Sequence, residues 1–387
     1  MQENTGNRAI QKPSFTERLD RRGSARNSGI DLLRLLSMFF VVAVHTLSKG
    51  WGGLLEAAQP GTTQYLLAAL LQAVTITSVD LFALISGYVG YSDQKKAVRI
   101  TPLLQLYLQV VACGLFAAAV FLVLRPELVS RKDFFTPFIP ITSDLYWYYT
   151  AYVGLFLVMP LLNAGLRHTP KRTLRVVFAA MFAAFSIYTC VVDRFKLEAG
   201  YTTIWLILLY IMGGILKKCE IGRALRPWMI AAGIAVLTGT AWIWKLYGPE
   251  VSLLGIGTKR EMLVGYTSPT TLGTSVLYVI AFSRLRCGKH LKRFATFTAP
   301  CVFAAYLLNA NALVHDHLIE GRFAHLATAS PLVLVATVFG FAAAFVAASI
   351  LLDRVRILLF DLLRVPQTLA SIDRTVHKLV EKHIPND

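Results

Sequence analysis

Apolar residues along this 387-residue chain fall in blocks separated by short polar segments rich in Lys and Arg. Ten blocks approach the roughly 20 residues that carry a helix across hydrocarbon: 30–48, 65–91, 101–124, 145–162, 173–192, 202–216, 227–246, 264–283, 298–318 and 328–352. The weakest are 202–216, which is short, and 298–318, which polar Asn309 and Asn311 interrupt. The pattern predicts an all-α, polytopic membrane protein with about ten transmembrane helices.

Charge tests this reading, because cytoplasmic loops carry the excess Lys and Arg. With both termini cytoplasmic, the inner segments and the adjoining Arg175 hold 28 of the 39 basic residues, so the asymmetry supports that orientation. Three regions follow: a basic cytoplasmic tail over 1–29, a transmembrane domain over 30–352, and a cytoplasmic tail over 353–387. The first tail lacks the apolar run of a signal peptide. The last contains Leu369, Ile372, Val376, Leu379 and Val380 at helical spacing, the pattern of an amphipathic helix on a membrane surface.

Composition agrees: 55% of residues are hydrophobic and 16% charged, against about 25% charged in globular chains. The net charge of +17 resides mainly in short inner loops, where helix orientation and anionic lipid explain it, so no nucleic acid is expected as a partner. The five cysteines form no CxxC pair, and no metal site is expected.

The first span, "GIDLLRLLSMFFVVAVHTLSKGW", keeps Arg34 and His45 at membrane depth, where ionisable groups are costly. Eleven positions at about 100° each come within some 20° of whole turns, so both lie on one face, about 16 Å apart along the axis. Arg34 sits near the inner surface, where snorkelling to headgroups is the simpler role; His45 lies toward the outer half. Asp31, one turn before Arg34, is placed to pair with it. One joint use is an anion site at the inner end and a proton acceptor further up. The second span, "SVDLFALISGYVGY", puts Asp80 between the two by depth and Ser86 near Arg34. Asp80 could orient His45 as a carboxylate orients a catalytic imidazole, or pair structurally elsewhere.

With these residues in view the chain resembles the acyltransferase family 3 membrane proteins. An arginine, ten residues and a histidine in the first helix is that family's leading motif, and "VDLFALISGY" is similar to its second-helix motif. The likeness continues through "LYWYYTAYVGLFLVMPLLN", "WLILLYIMGGILKK", "YTSPTTLG" and "VFAAYLLNANALV", in order, over roughly 29–352.

The resemblance implies transfer of an acyl group, commonly acetyl, from cytosolic acetyl-coenzyme A as co-substrate to hydroxyls of cell-surface or lipid-linked glycans, in the bacterial cytoplasmic membrane. His45 matches the family's catalytic histidine and Arg34 its donor-handling arginine. Asp31, Ser86, Lys96 and Arg99 join the donor side, and Asp80 the catalytic side. Two positions depart from the pattern. An Arg-x-x-Arg motif becomes Lys96-Ala97-Val98-Arg99, where Lys offers a point charge instead of a fork. A Tyr-Leu-Ile-His motif becomes Tyr306-Leu307-Leu308-Asn309, where Asn cannot act as a base but can hydrogen-bond. No attached domain of the kind some relatives carry is expected from terminal segments of this length.

A sugar hydroxyl needs a base as it attacks a thioester, and an imidazole with an ordinary pKa of about 6.5 suits that role. The carbonyl oxygen then needs donors. Arg34, Tyr266, Ser268 and Asn309 are candidates, with Asn311 a further oxyanion or acceptor contact. Direct transfer and a covalent acyl-histidine or acyl-serine route both fit. The intramembrane Arg, Asp and His also describe a proton relay in a transporter, against which stands the absence of an internal repeat; an inactive scaffold is the third reading. Aromatic "SDLYWYYTAY" fits interfacial anchoring better than sugar stacking.

Overall fold

A computed structural model describes residues 26–94, 99–253 and 256–383. The principal helices are α1 (Ser28–Leu47), α2 (Thr63–Thr75), α3 (Ser78–Gly90), α4 (Thr101–Leu124), α5 (Trp147–His168), α6 (Lys171–Phe182), α7 (Thr203–Cys219), α8 (Pro227–Tyr247), α9 (Pro269–Ser283), α10 (Lys289–Thr298), α11 (Phe303–Asn309), α12 (Pro331–Leu362) and α13 (Val365–His383). A hairpin of β1 (Val251–Leu253) and β2 (Ile256–Thr258) is the one sheet among the described residues.

The chain is predominantly helical, and seven helices are long and apolar enough to cross a membrane. They are α1, the kinked Thr63–Gly90 unit of α2 and α3, α4, α5, Lys171–Val191, α8 and α12. The remaining three expected spans are represented by shorter helices: α7 of 17 residues, α9 of 15, and a broken segment in which α11 stops at Asn309. Non-helical backbone inside a bundle is tolerated only where other protein covers it. Here Leu307, Leu308 and Asn309 are buried, and the Asn311 side chain restarts the helix by accepting from the Leu313 amide at 3.1 Å.

Helix α1 occupies the middle of the bundle, in contact with α2, α3, α9, α10, α11 and α12. Its start is capped by Asn27, whose Oδ1 accepts from the Gly29 and Ile30 amides and whose Nδ2 donates to the Ser283 carbonyl at 2.8 Å. The α2–α3 unit is also buried, whereas α5, α8 and α12 expose apolar side chains such as Leu161, Val236 and Leu332 along their outer faces. Those faces have the chemistry of a lipid boundary.

Glycines set the closest contact, that between α3 and α7. A Cβ on Gly87 would lie 1.9 Å from the Tyr210 carbonyl oxygen, and one on Gly213 would lie 2.1 Å from that of Leu84. The two backbones touch, the small-residue packing that holds helices together where lipid is as apolar as any side chain. Gly213→Val is therefore expected to cost about 3 kcal/mol. In detergent it should leave little monodisperse protein on size-exclusion chromatography. A wild-type peak would contradict the contact.

The amphipathic tail forms α13, which docks through Asp373 accepting from the Ile100 amide at 2.9 Å.

Candidate functional site

Two polar clusters lie on α1, at its two ends. At the lower end Asp31, 2% exposed, accepts from Arg34 Nη1 at 3.0 Å and from Arg26 Nε at 2.5 Å. The i,i+3 spacing brings the first pair together as the sequence suggests. Arg26, before the helix, is an addition that helix periodicity could not reveal. Arg34 is a quarter exposed, so its guanidinium is reachable with one edge held by Asp31.

At the upper end the His45 Nδ1–H donates to the Oδ1 of Asn309, an oxygen that can only accept. In the neutral ring this contact goes with a proton on Nδ1 and leaves Nε2 as the acceptor nitrogen. One ring face stacks on Trp51, with centroids 3.6 Å apart and planes 14° from parallel. Trp51 is held in turn by the edge of His315 at 4.6 Å, and His315 Nε2 reaches the Gly50 carbonyl at 3.0 Å. Backbone bonds from Gly321 to Trp51 (2.8 Å) and from Phe323 to Gly52 (3.0 Å) clamp this loop. His315 thus braces the residue that stacks on His45.

His45 opens on a cavity of about 30 Å³ walled by Met38, Val41, Ser78, Val79, Phe82, Trp147, Tyr148, Tyr266, Phe303 and Tyr306. That is room for about one water molecule.

The other expected residues divide between this cavity and purely local roles. Tyr266 lines the cavity. Asp80 is fully buried, but its Oδ1 accepts from Trp205 Nε1 at 3.0 Å, and the imidazole's partner is Asn309 instead. Ser86 Oγ donates to the Phe82 carbonyl of its own helix at 2.9 Å. Ser268 caps α9, and its hydroxyl donates within its own turn to the Gly265 carbonyl at 2.7 Å. Asn311 caps the short turn after α11. Arg99 is exposed, and Lys96 lies outside the described residues. Trp51, Ser78, Tyr148 and Tyr306 had no assigned role before the structure. The aromatic run that reads as an interfacial anchor supplies Trp147 and Tyr148 to the cavity wall.

A second cavity, of about 440 Å³, lies between the lower ends of α3, α7 and α9, lined by Tyr88, Lys217, Glu220, Arg223, Ser283 and Arg284 among others. Asn27, the cap of α1, reaches its wall through the Ser283 carbonyl, so it adjoins the Arg34 end of that helix. The one group of metal-ligating side chains among the described residues is His315, Asp316 and Glu320, with ligand atoms within 4.8 Å of one another. There His315 Nδ1 is already occupied by Asp316 at 2.6 Å.

A helical membrane bundle with an oriented imidazole at one end of a central helix and a reachable guanidinium at the other has the parts of a group-transfer enzyme. The acyltransferase domain that defines the acyltransferase 3 family matches residues 27–353, most of the chain, and the protein belongs to that family. Its activity is that of an acyltransferase, and it resides in a membrane. No curated protein and no solved structure matches it significantly.

Proposed function

We propose that the protein moves an acyl group, acetyl in the first instance, from cytosolic acyl-coenzyme A to a hydroxyl of a cell-surface or lipid-linked glycan, in the bacterial cytoplasmic membrane with both termini inside. The observation that supports the reading is the His45–Asn309 contact, which holds an imidazole at a cavity wall on the helix that also bears Arg34. The acceptor hydroxyl attacks the thioester carbonyl as Nε2 takes its proton. A C–O bond forms, the C–S bond breaks, and the thiolate leaves to be reprotonated from the imidazolium. Asn309 holds the imidazole in this scheme, and Asp80 does not.

Donor binding falls to the lower end. Arg34 meets an anionic or polarised part of the donor, and the adjoining cavity offers Lys217, Arg223 and Arg284 to its phosphates. Arg99 and Lys96 are donor-side residues on the family motif alone.

Arg34→Ala is expected to raise the KM for acetyl-coenzyme A roughly 10- to 100-fold, the worth of a hydrogen bond to a charged group. Arg34→Lys should recover part of the loss, because a point charge replaces a fork incompletely. Acetyl-coenzyme A turnover in membranes containing each variant measures both. An unchanged KM in Arg34→Ala would leave Arg34 only a snorkelling role.

A further inference from the structure

Serine hydroxyls in these helices commonly find a carbonyl. Ser37 donates to Arg34, Ser86 to Phe82, Ser275 to Thr271 and Ser349 to Phe345, each within its own helix. Few buried polar side-chain atoms of the described residues lack a partner, and two of them belong to residues that line the His45 cavity: Ser78 Oγ and Tyr148 OH. An unpaired buried hydroxyl is costly, so each calls for a reason.

The Val74 carbonyl one turn back accepts from Thr77 Oγ1 at 3.3 Å, and Ser78 Oγ makes no bond to it. Thr77 and Ser78 sit at the kink between α2 and α3, where the helix is re-aimed and the Ser78 side chain comes to the cavity wall. Tyr148 is held by its ring, packed edge-on against Phe82 at 5.9 Å and Tyr306 at 6.0 Å, while its amide donates to the Tyr306 hydroxyl at 3.4 Å. Trp147 and Tyr148 are also the first two residues of the 22-residue α5, which has no side-chain cap. The positive end of that helix dipole therefore lies at the same wall.

We infer that Tyr148 and Ser78 are the oxyanion donors of this enzyme, their hydroxyls left unpaired because their partner is the acyl oxygen of the substrate. The inference rests on the acyl-transfer reading above. As the acceptor oxygen bonds to the carbonyl carbon, the C=O π pair moves onto oxygen. Collapse re-forms C=O and expels the thiolate, while the acceptor's proton remains on His45 Nε2. Both hydroxyls donate to the oxygen that gains charge, and the helix end adds to the field in a site screened from water. This role replaces Ser268, whose hydroxyl is engaged with the α9 cap, whereas Asn309, whose Oδ1 meets His45 but whose buried Nδ2 has no partner, stays a further donor.

The test uses the full-length protein in nanodiscs, reading thiol release from acetyl-coenzyme A with cell-envelope glycan as acceptor. Tyr148→Phe and Ser78→Ala should each lower kcat about 10²-fold with little change in the KM for acetyl-coenzyme A. Each should leave the melting temperature equal or higher, because a buried hydroxyl without a partner is removed. Ser78→Thr, which keeps the hydroxyl, should recover activity. Full kcat in both Tyr148→Phe and Ser78→Ala, alongside an inactive His45→Ala, would overturn this inference and leave the acyl-transfer reading standing. A kcat loss accompanied by a lower melting temperature would overturn it too, by showing a packing role. Activity retained in His45→Ala would instead remove the reading on which it rests.

Discussion

Replacing His45 by alanine is expected to abolish glycan acylation, by about 10²–10⁴-fold, while the protein still reaches the membrane at normal level. A hydroxyl is a poor nucleophile near neutral pH, and His45, a cavity-wall imidazole engaged at Nδ1 by Asn309, has Nε2 left to act as the base. The substitution also removes the stack on Trp51 and strands the Asn309 amide, a cost of about 1–3 kcal/mol. His45→Gln separates the two effects, because its amide can still meet Asn309 yet cannot take a proton. Both variants should be inactive in cells lacking the native gene, with O-acyl content of surface glycan and membrane expression as readouts. Normal acylation in either would reject His45 as the base.

Asn309→Leu should lower kcat on the order of 10²-fold with little change in donor KM. The imidazole remains, but nothing then fixes its tautomer or orientation. Asn309→Asp should lose less, since a carboxylate still accepts from the Nδ1–H. The discriminating readout is the ordering of Asp above Leu in kcat. Equal activity in the two would mean that the contact positions nothing.

The lower half of this site was legible in the sequence because it is local. Asp31 and Arg34 are one turn apart, and helical geometry alone brings them together. The common face of Arg34 and His45 follows from the same arithmetic. The partner of His45 was not legible, because Asn309 is 264 positions away and reaches it only where α11 breaks. The two asparagines that made the 298–318 span look weak are the reason the helix stops there, so the weak signal marked the site. Asp80 shows the opposite limit. Depth placed it beside His45, but depth carries no azimuth, and the indole of Trp205, 125 positions on, holds it. Ser78 and Tyr148 escaped notice because a serine in an apolar helix and a tyrosine in an aromatic run have ordinary explanations; what sets them apart is an unpartnered hydroxyl on a residue that lines the His45 cavity. The span at 65–91 reads as one helix and forms two, since hydropathy is blind to the kink at Ile76 and Thr77.

Sided transfer tests the central claim most directly: that one helix joins a cytosolic donor site to a base nearer the outer surface. Protein is reconstituted into vesicles in a known orientation, with radiolabelled acetyl-coenzyme A supplied only at the Arg34 side and envelope glycan only at the His45 side. The account predicts labelled acetyl ester on the glycan with wild-type protein and none with His45→Ala. Label on the glycan with His45→Ala, or with donor supplied only at the His45 side, would contradict it.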